Sequence, residues 1–418
     1  MNLPNITGGH WTREPEGPWG RFCIDSRVLQ PGDAFVAVKG RSDGHNYVKA
    51  AEEAGARFAI VETVQQCGLP QLQVKSCVQA FLDIAHAIRK NFSGPVIGIT
   101  GSVGKTSTKD CLRTLFGPRT HASHKNFNNA LGVPLTLQDL NNDVFDTAIV
   151  EMGINAPGEM DVFQACVQPD YAIITNIHAT HLEGLGSLDN VATEKAKIAK
   201  SAKKVFVHKS FLKYKAIGDL GNKLVTPDEY SLSCNTLTLA GHTFTLPLMS
   251  PGMAQNVIIA LSCALYLKKD PRELANRLLA FETSDFREKW IQSQNRTYFA
   301  DCYNASPASM LNSIAFFQAQ AASEKQRLYV LGEMRELGQQ SHALHSDVGQ
   351  KLSFRPHDTL CLIGGESILA LKNAIQLPPS KTYYFPNTQA AIPVVQAFSG
   401  TVYLKGSHSF ALEQLIQD

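Results

Sequence analysis

Short apolar runs rich in valine and isoleucine alternate with helical patterns from one end of the chain to the other, a rhythm that points to an α/β fold. The strand-like runs are Ala34–Val38, Phe58–Glu62, Val96–Thr100, Ala148–Met152, Tyr171–Asn176, Leu328–Leu331 and Thr359–Ile363. At 418 residues the chain is too long for one ordinary core, so two or three domains are expected. Ser93-Gly94-Pro95 punctuates the chain ahead of a new strand and gives a first boundary. The polar stretch Thr283–Arg296, just before the strand that opens Thr297-Tyr298-Phe299-Ala300, gives a second. Three consecutive α/β domains result, at residues 1–93, 94–290 and 291–418, without internal repeat or low-complexity segment.

The most specific signal lies at the start of the middle domain. Val96-Ile97-Gly98-Ile99-Thr100 reads as a buried strand, followed by Gly101-Ser102-Val103-Gly104-Lys105-Thr106-Ser107 and a helical stretch, Thr108–Phe116. Strand, glycine loop and helix are what a phosphate cradle requires: glycines let backbone N–H groups close around the anion, and the helix N-terminus favours negative charge. Lys105 would reach the β- and γ-phosphates and the Thr106 hydroxyl would ligate Mg²⁺. Ile99 stands where the strict pattern has glycine, so the loop is a variant; a glycine-rich turn with a solvated lysine is the plainer alternative.

Ligands of open α/β sheets collect at the carboxyl ends of strands. Glu151-Met152-Gly153 ends one strand, and Thr175-Asn176-Ile177-His178-Ala179-Thr180-His181-Leu182-Glu183-Gly184 follows the next. Glu151 and His181 could therefore converge near the glycine loop, or be a surface acid and a capping histidine. Glu194-Lys195-Ala196-Lys197-Ile198-Ala199-Lys200, read without context, is a solvated basic helix face.

Bulk properties exclude several classes. With 39 basic against 37 acidic side chains and a net charge of +2, general nucleic-acid binding is disfavoured, though a local phosphate pocket is not. No apolar run is long enough to span a bilayer. Met1-Asn2-Leu3-Pro4-Asn5 lacks the basic start and apolar stretch of a secretory signal. Nine cysteines without a C-x-x-C pair suggest reduced, mostly buried thiols in a cytoplasm.

Taken in order, these pieces resemble the Mur ligases. Asp25-Ser26-Arg27, then Pro31-Gly32-Asp33-Ala34-Phe35-Val36-Ala37-Val38-Lys39-Gly40 and Asp43-Gly44-His45, look like their UDP-binding domain. Gly101–Thr106, Asn126-Phe127-Asn128-Asn129, Gly132-Val133-Pro134, Glu151-Met152-Gly153 and His181-Leu182-Glu183-Gly184 match their central domain. Asp301-Cys302-Tyr303-Asn304-Ala305-Ser306-Pro307, Ser309-Met310, Leu331-Gly332-Glu333-Met334-Arg335-Glu336-Leu337-Gly338 and Leu404-Lys405-Gly406-Ser407 are similar to the branch that adds a dipeptide. The Asp-Asn-Pro-Arg segment typical of the branch adding diaminopimelate or lysine is absent.

The resemblance implies a UDP-substrate-binding domain, a central P-loop mononucleotide-binding domain and a Rossmann-like C-terminal domain. It implies an ATP-dependent, cytoplasmic and monomeric enzyme that joins D-alanyl-D-alanine to UDP-N-acetylmuramoyl-tripeptide through an acyl phosphate. Nucleic acid and membrane insertion play no part in this reading. Gly101, Ser102, Val103, Gly104, Lys105, Thr106, Ser107, Asn256, Arg287 and Asp301 would bind ATP. Thr106, Glu151 and His181 would serve two Mg²⁺ ions, and Lys195 falls where the family uses a carbamylated lysine. Lys105, Glu151, His181 and Lys195 form the implied catalytic set. Ser26, Arg27, Lys39, Gly40, Asp43 and His45 would surround uridine and its phosphates, with Asn128 and Asn129 toward the muramoyl side. Asn304 and Ser306 would lie near the dipeptide, or form a polar turn with Asn304 as helix cap.

The chain departs from the family pattern in places. Lys125 and Phe286 replace usual glycines, Met253-Ala254-Gln255 replaces the usual Arg-His before Asn256, and Lys197 replaces a frequent glutamate. The segment from Lys195 to Asn256 is also short. The rival readings are another Mur-type amino-acid ligase, a folylpolyglutamate synthetase, or a non-catalytic paralogue that binds nucleotide-peptide.

Overall fold

The computed structural model describes residues 1–40, 42–227, 229–283, 286–293 and 296–416. It contains three α/β units in succession. The first carries a five-stranded sheet of β1 (His10–Trp11), β2 (Phe22–Cys23), β3 (Ala34–Val36), β4 (Phe58–Val61) and β5 (Gln71–Gln73), ordered β1-β5-β4-β3-β2. All its pairings are parallel except that of β1 with β5.

The central sheet is wholly parallel, in the order β11-β10-β9-β6-β8-β7. Its strands are β6 (Val96–Thr100), β7 (Thr120–Ala122), β8 (Thr147–Glu151), β9 (Tyr171–Ile174), β10 (Lys204–Val207) and β11 (Leu224–Val225). Every residue of β6 and β8 is buried. Helices cover both faces of such a sheet, which is why these strands read as unbroken apolar runs. An antiparallel meander of β12 (Tyr230–Ser233), β13 (Thr236–Leu239) and β14 (His242–Thr245) follows. Its Leu237, Leu239 and Phe244 share one core with the helices Lys105–Phe116 and Pro251–Tyr266.

The third unit has β15 (Lys289–Gln292), β16 (Arg296–Ala300), β17 (Arg327–Gly332), β18 (Thr359–Ile363), β19 (Lys381–Phe385) and β20 (Gly400–Lys405), ordered β15-β16-β20-β17-β18-β19. The edge strand β15 pairs antiparallel with β16, so this sheet begins ahead of residue 291, where the third domain was expected to start. Residues 284, 285, 294 and 295 of the expected boundary stretch lie outside the described residues.

The first two units are bonded firmly together. From the Cys77–Lys90 helix, Arg89 donates to the carbonyls of Val167 and Gln168 and to Asp170, at 2.9, 3.1 and 2.8 Å. Gln138 pairs with both backbone groups of Phe22, and Leu82, Ala85 and Phe92 enter the central hydrophobic core. Between the central and third units lies instead a cleft of about 900 Å³.

Candidate active site

The carboxyl ends of β6, β8 and β9 lie side by side, with Ile99 paired to Glu151 and Thr100 to Ile174. The glycine loop leaves β6 at this edge. The helix after it begins at Lys105 rather than at Thr108 as expected, because Gly104 takes a left-handed turn (φ +81°) that starts the helix at once. A Cβ at Gly101 would strike the Thr175 hydroxyl, and one at Gly104 would strike the Asn256 amide. Glycine is demanded at both positions by φ and by crowding alike. The loop is braced from β9: the Val103 N–H donates to Asn176 Oδ1 at 2.9 Å, and Thr175 Oγ1 and Asn176 Nδ2 donate to the Val103 carbonyl.

Two lysines meet at the base of the loop. Lys105 Nζ donates to the Gly101 carbonyl at 2.9 Å, and Lys195 Nζ donates to the same oxygen at 3.1 Å. Lys195 is wholly buried, so the solvated face read from its lysine-rich neighbourhood is corrected here. The helix Leu188–Ala196 turns this one lysine inward, while Lys197 remains half exposed and ion-paired with Asp161 and Glu194. Burial pushes the Lys195 ammonium far below its usual range, with the Lys105 charge adding to the effect. Burial also lowers Lys105, opposed by Glu151 and Glu336.

Glu151 is 1% exposed and accepts from Thr106 Oγ1 at 2.9 Å and from Asn128 Nδ2 at 2.7 Å. His181 begins the short helix Leu182–Leu185 with left-handed backbone, φ +55°, and its Nδ1 lies 2.8 Å from Glu336 of the third unit. Burial depresses its basicity, with the Glu336 hydrogen bond opposing. Among the described residues no three His, Cys, Asp or Glu side chains gather as a metal-binding group. The oxygen donors at hand are the Thr106 hydroxyl and the Glu151 carboxylate. That set suits Mg²⁺, which is held by one or two carboxylates together with substrate phosphates and water.

The opposite wall comes from the third unit. Lys405, at the end of β20 and 1% exposed, donates to Asp301 Oδ2 at 2.7 Å and to the carbonyls of Asp301 and Asn304 at 3.2 and 3.1 Å. The Arg287 guanidinium lies 3.6 Å from the centre of the Tyr303 ring, which stacks on His408. Ser306, not Asn304, caps the Pro307–Gln320 helix, in a reciprocal capping box with Ser309. The Asn304 side chain accepts instead from the neighbouring Ala305 N–H.

Residues 102–107 of the glycine loop, Asn128, Glu151, His181, Asn256, Arg287, Asp301, Asn304 and Ser306 line the cleft, whereas Gly101 and Lys195 lie behind it. Asn129 does not line it; its side chain accepts from the Leu131 and Gly132 N–H groups in the turn that leads into the Gly132–Leu137 helix. Ser26, Arg27, Lys39, Gly40, Asp43 and His45 are also absent from this cleft. They follow the adjacent strands β2 and β3 in the first unit, where Arg27 pairs with Asp25, Lys39 with Glu62, and His45 Nδ1 with Asp43 at 2.6 Å. The lysine and phenylalanine that replace family glycines both adopt left-handed backbone, Lys125 at φ +46° and Phe286 at +55°. Such conformations cost about 1–3 kcal/mol each in a non-glycine residue.

Several cleft residues had no role assigned from sequence: Lys405, Glu336, Glu288 and Asn312, the last two both bonded to the buried Ser250. For Lys405 a signal existed, since a lysine closing the apolar run Val402-Tyr403-Leu404 sits at a strand's carboxyl end.

Residues 99–217 match the model of the Mur ligase middle domain, and residues 287–408 match that of the Mur ligase glutamate ligase domain. The UDP-N-acetylmuramoyl-tripeptide–D-alanyl-D-alanine ligase of Synechocystis is 30% identical, over 82% of this chain and 79% of the relative. The ligase of that name from Bacillus subtilis is 28% identical, over 95% of this chain and 92% of its own length. A crystal structure of MurF from Acinetobacter baumannii superposes with a TM-score of 0.88 at 27% identity, covering 99% of this chain and 96% of that one.

Proposed function

The chain belongs to the Mur ligase family, and from that premise we infer that it joins D-alanyl-D-alanine to UDP-N-acetylmuramoyl-tripeptide at the expense of ATP. The product is the UDP-muramoyl-pentapeptide precursor of peptidoglycan. The observation that carries this reading is the cleft itself. A phosphate loop with Thr106 and Glu151 forms one wall, and Arg287, Asp301 and the Asn304–Ser306 turn form the other. A carboxyl group can thus be activated from one domain and met by an amine from the next.

A carboxylate is a poor electrophile, so the γ-phosphoryl group of ATP is first transferred to it. The amine of D-alanyl-D-alanine then attacks the acyl phosphate carbon, the C–O bond to phosphate breaks, inorganic phosphate leaves and the amine loses a proton. Most of the task is positioning and neutralisation of charge. Lys105 is suited to the β- and γ-phosphates from the base of the loop. Asn256, pressed against Gly104, is suited to the nucleotide end of the same loop. Closure of Arg287 and Asp301 over the cleft would exclude the water that otherwise hydrolyses an acyl phosphate. Mg²⁺ held by Thr106 and Glu151 would supply charge neutralisation at the phosphates.

Lys195 is proposed as a carbamate. Burial lowers the basicity of its amine well below the usual range, which favours the neutral form that adds to the carbon of CO₂ with release of one H⁺, giving a carboxylate-like oxygen donor suited to a hard cation. Ser26, Arg27, Lys39, Gly40, Asp43 and His45 are proposed for the UDP end, a reading supported by their gathering after adjacent parallel strands. Asn128 and Asn129 are proposed for the muramoyl side, and Asn304 and Ser306 for the dipeptide. A cytoplasmic enzyme is proposed on the supply of ATP and UDP-linked substrate there. No helix among the described residues is long and apolar enough to cross a membrane.

The test is mass spectrometry of products from UDP-muramoyl tripeptide, carrying lysine or diaminopimelate, with ATP-Mg²⁺ and an equal mixture of D-alanine and D-alanyl-D-alanine. Pentapeptide is expected to dominate. Tetrapeptide as the major product would reassign the chain to an amino-acid-adding ligase, and no product from any pair would favour a non-catalytic paralogue.

A further inference from the structure

The contact between His181 and Glu336 joins two domains through one short bond of 2.8 Å. His181 stands at the start of the Leu182–Leu185 helix, and Glu336 in the loop after β17. Both backbones are left-handed, at φ +55° and +65°, a conformation that non-glycine residues hold only where their surroundings enforce it. Beside them Gly338, left-handed at +56°, is packed so closely that a Cβ there would lie 3.1 Å from the Glu183 Cα. Two conformationally forced loops from separate domains are thus pressed together at a wall of the cleft that both residues line.

The chemistry of the contact is directional. A carboxylate only accepts, so the imidazole must carry its hydrogen on Nδ1, and in the neutral ring Nε2 is left as a lone pair. In water a neutral imidazole prefers the other tautomer. A carboxylate on one ring nitrogen is the arrangement by which proteins fix a histidine that serves a cation through the other.

We propose that Glu336 is a positioning residue that sets the tautomer and orientation of His181, and that it does so only when the third domain is docked on the central one. The proposal rests on the ligase reading and deepens it. The third domain then brings more than a seat for the amine, because its arrival also readies His181 of the central domain to meet a cation. ATP bound to an undocked central domain would meet a wrongly protonated His181, which guards against activating the carboxyl before the cleft has closed. The pair is half exposed on the Glu336 side, and such pairs add little to stability, so its removal leaves the fold intact.

The test compares the full chain with Glu336→Ala, Glu336→Gln, His181→Ala and the Glu336→Ala/His181→Ala double variant. In Glu336→Ala, kcat is expected to fall roughly 10–100-fold, with KM for the UDP-tripeptide unchanged. Glu336→Gln, whose amide oxygen still accepts the Nδ1 hydrogen, should recover most of the loss. The double variant should be no slower than His181→Ala alone. Nitrogen-15 NMR of histidine-labelled protein, with the His181 signals assigned by their loss in His181→Ala, should show hydrogen on Nδ1 in the wild type and Glu336→Gln, and on Nε2 in Glu336→Ala. Undiminished kcat in Glu336→Ala, multiplicative losses in the double variant, or an unmoved His181 tautomer would each overturn the proposal. The NMR arm needs no turnover, so it decides the role of Glu336 even where the ligation assay fails for other reasons.

Discussion

Lys105 and Lys195 donate to one carbonyl oxygen, that of Gly101, at 2.9 and 3.1 Å. Two ammonium groups on a single buried acceptor repel each other and lack the solvation that would offset the repulsion. Lys195 is the group whose basicity is lowered furthest, by its burial first and by the Lys105 charge second. Were the Lys195 amine to react with CO₂, as proposed above, the repulsive pair would become an attractive one.

Lys195→Ala is therefore expected to lose activity roughly 10–100-fold or more, the usual scale for removing a group that holds or orients a metal ligand. Acetate or formate in the assay should restore part of it by occupying the vacated position. Activity equal to wild type, with no response to added carboxylate, would remove Lys195 from the site.

Lys105→Ala is expected to slow ligation by at least about 100-fold, as removal of a preorganised charge at a transition state does. The circular-dichroism spectrum should be unchanged, because the ammonium spans the loop and fills no hydrophobic core. Ligation at the wild-type rate with ATP below saturation would sink the phosphate-loop reading.

What sequence could and could not disclose follows from how far apart the partners lie. The strand Val96–Thr100 and its glycine loop were legible because the parallel strand is apolar on both faces and the turn needs glycines locally. The meander β12–β14 was missed, since most of its residues are exposed and polar and its apolar positions, such as Leu237, Leu239 and Phe244, come singly. Lys195 looked solvated because its neighbours in sequence are lysines, whereas its acceptor is 94 residues away. The Glu336 contact with His181 and the Lys405 contact with Asp301 are made across the folded chain, where no local period signals them.

The third domain also holds a buried ion pair independent of the cleft. Arg327, at the start of β17, donates to Asp358 through Nε and Nη2 at 2.9 and 2.7 Å, with side-chain exposures of 5% and 1%. Removing one partner strands the other charge in a medium that cannot solvate it. Asp358→Ala is expected to destabilise this domain by roughly 3–5 kcal/mol in urea unfolding. A loss below about 1 kcal/mol would put the pair on a par with exposed ones.

Glu288 ties the interdomain linker to both domains it joins. Its carboxylate accepts from the Ser250 N–H at 2.9 Å and from the Ser250 hydroxyl, while Asn312 of the third domain donates to that same hydroxyl oxygen at 2.9 Å. Burial first and the Asp301 charge second raise the Glu288 carboxyl from 4.5 to about 7, against the hydrogen bonds from Ser250 and the charge of Lys405. The folded state thus binds a proton that the unfolded state has already released between those two values. For a group raised in this way, the stabilisation is full below the unfolded value and is lost as pH climbs through the folded one. Wild-type stability should accordingly decline relative to Glu288→Gln as pH rises from about 4.5 to about 7, then level off. The glutamine bears no charge at any of these values, so whatever constant offset its altered hydrogen bonding brings cannot reproduce the slope. Melting temperatures of both proteins, measured in parallel from pH 4.5 to 8.5, check this. A difference between them that stays flat across that range would mean that the Glu288 carboxyl titrates normally and that the linker carries no buried proton.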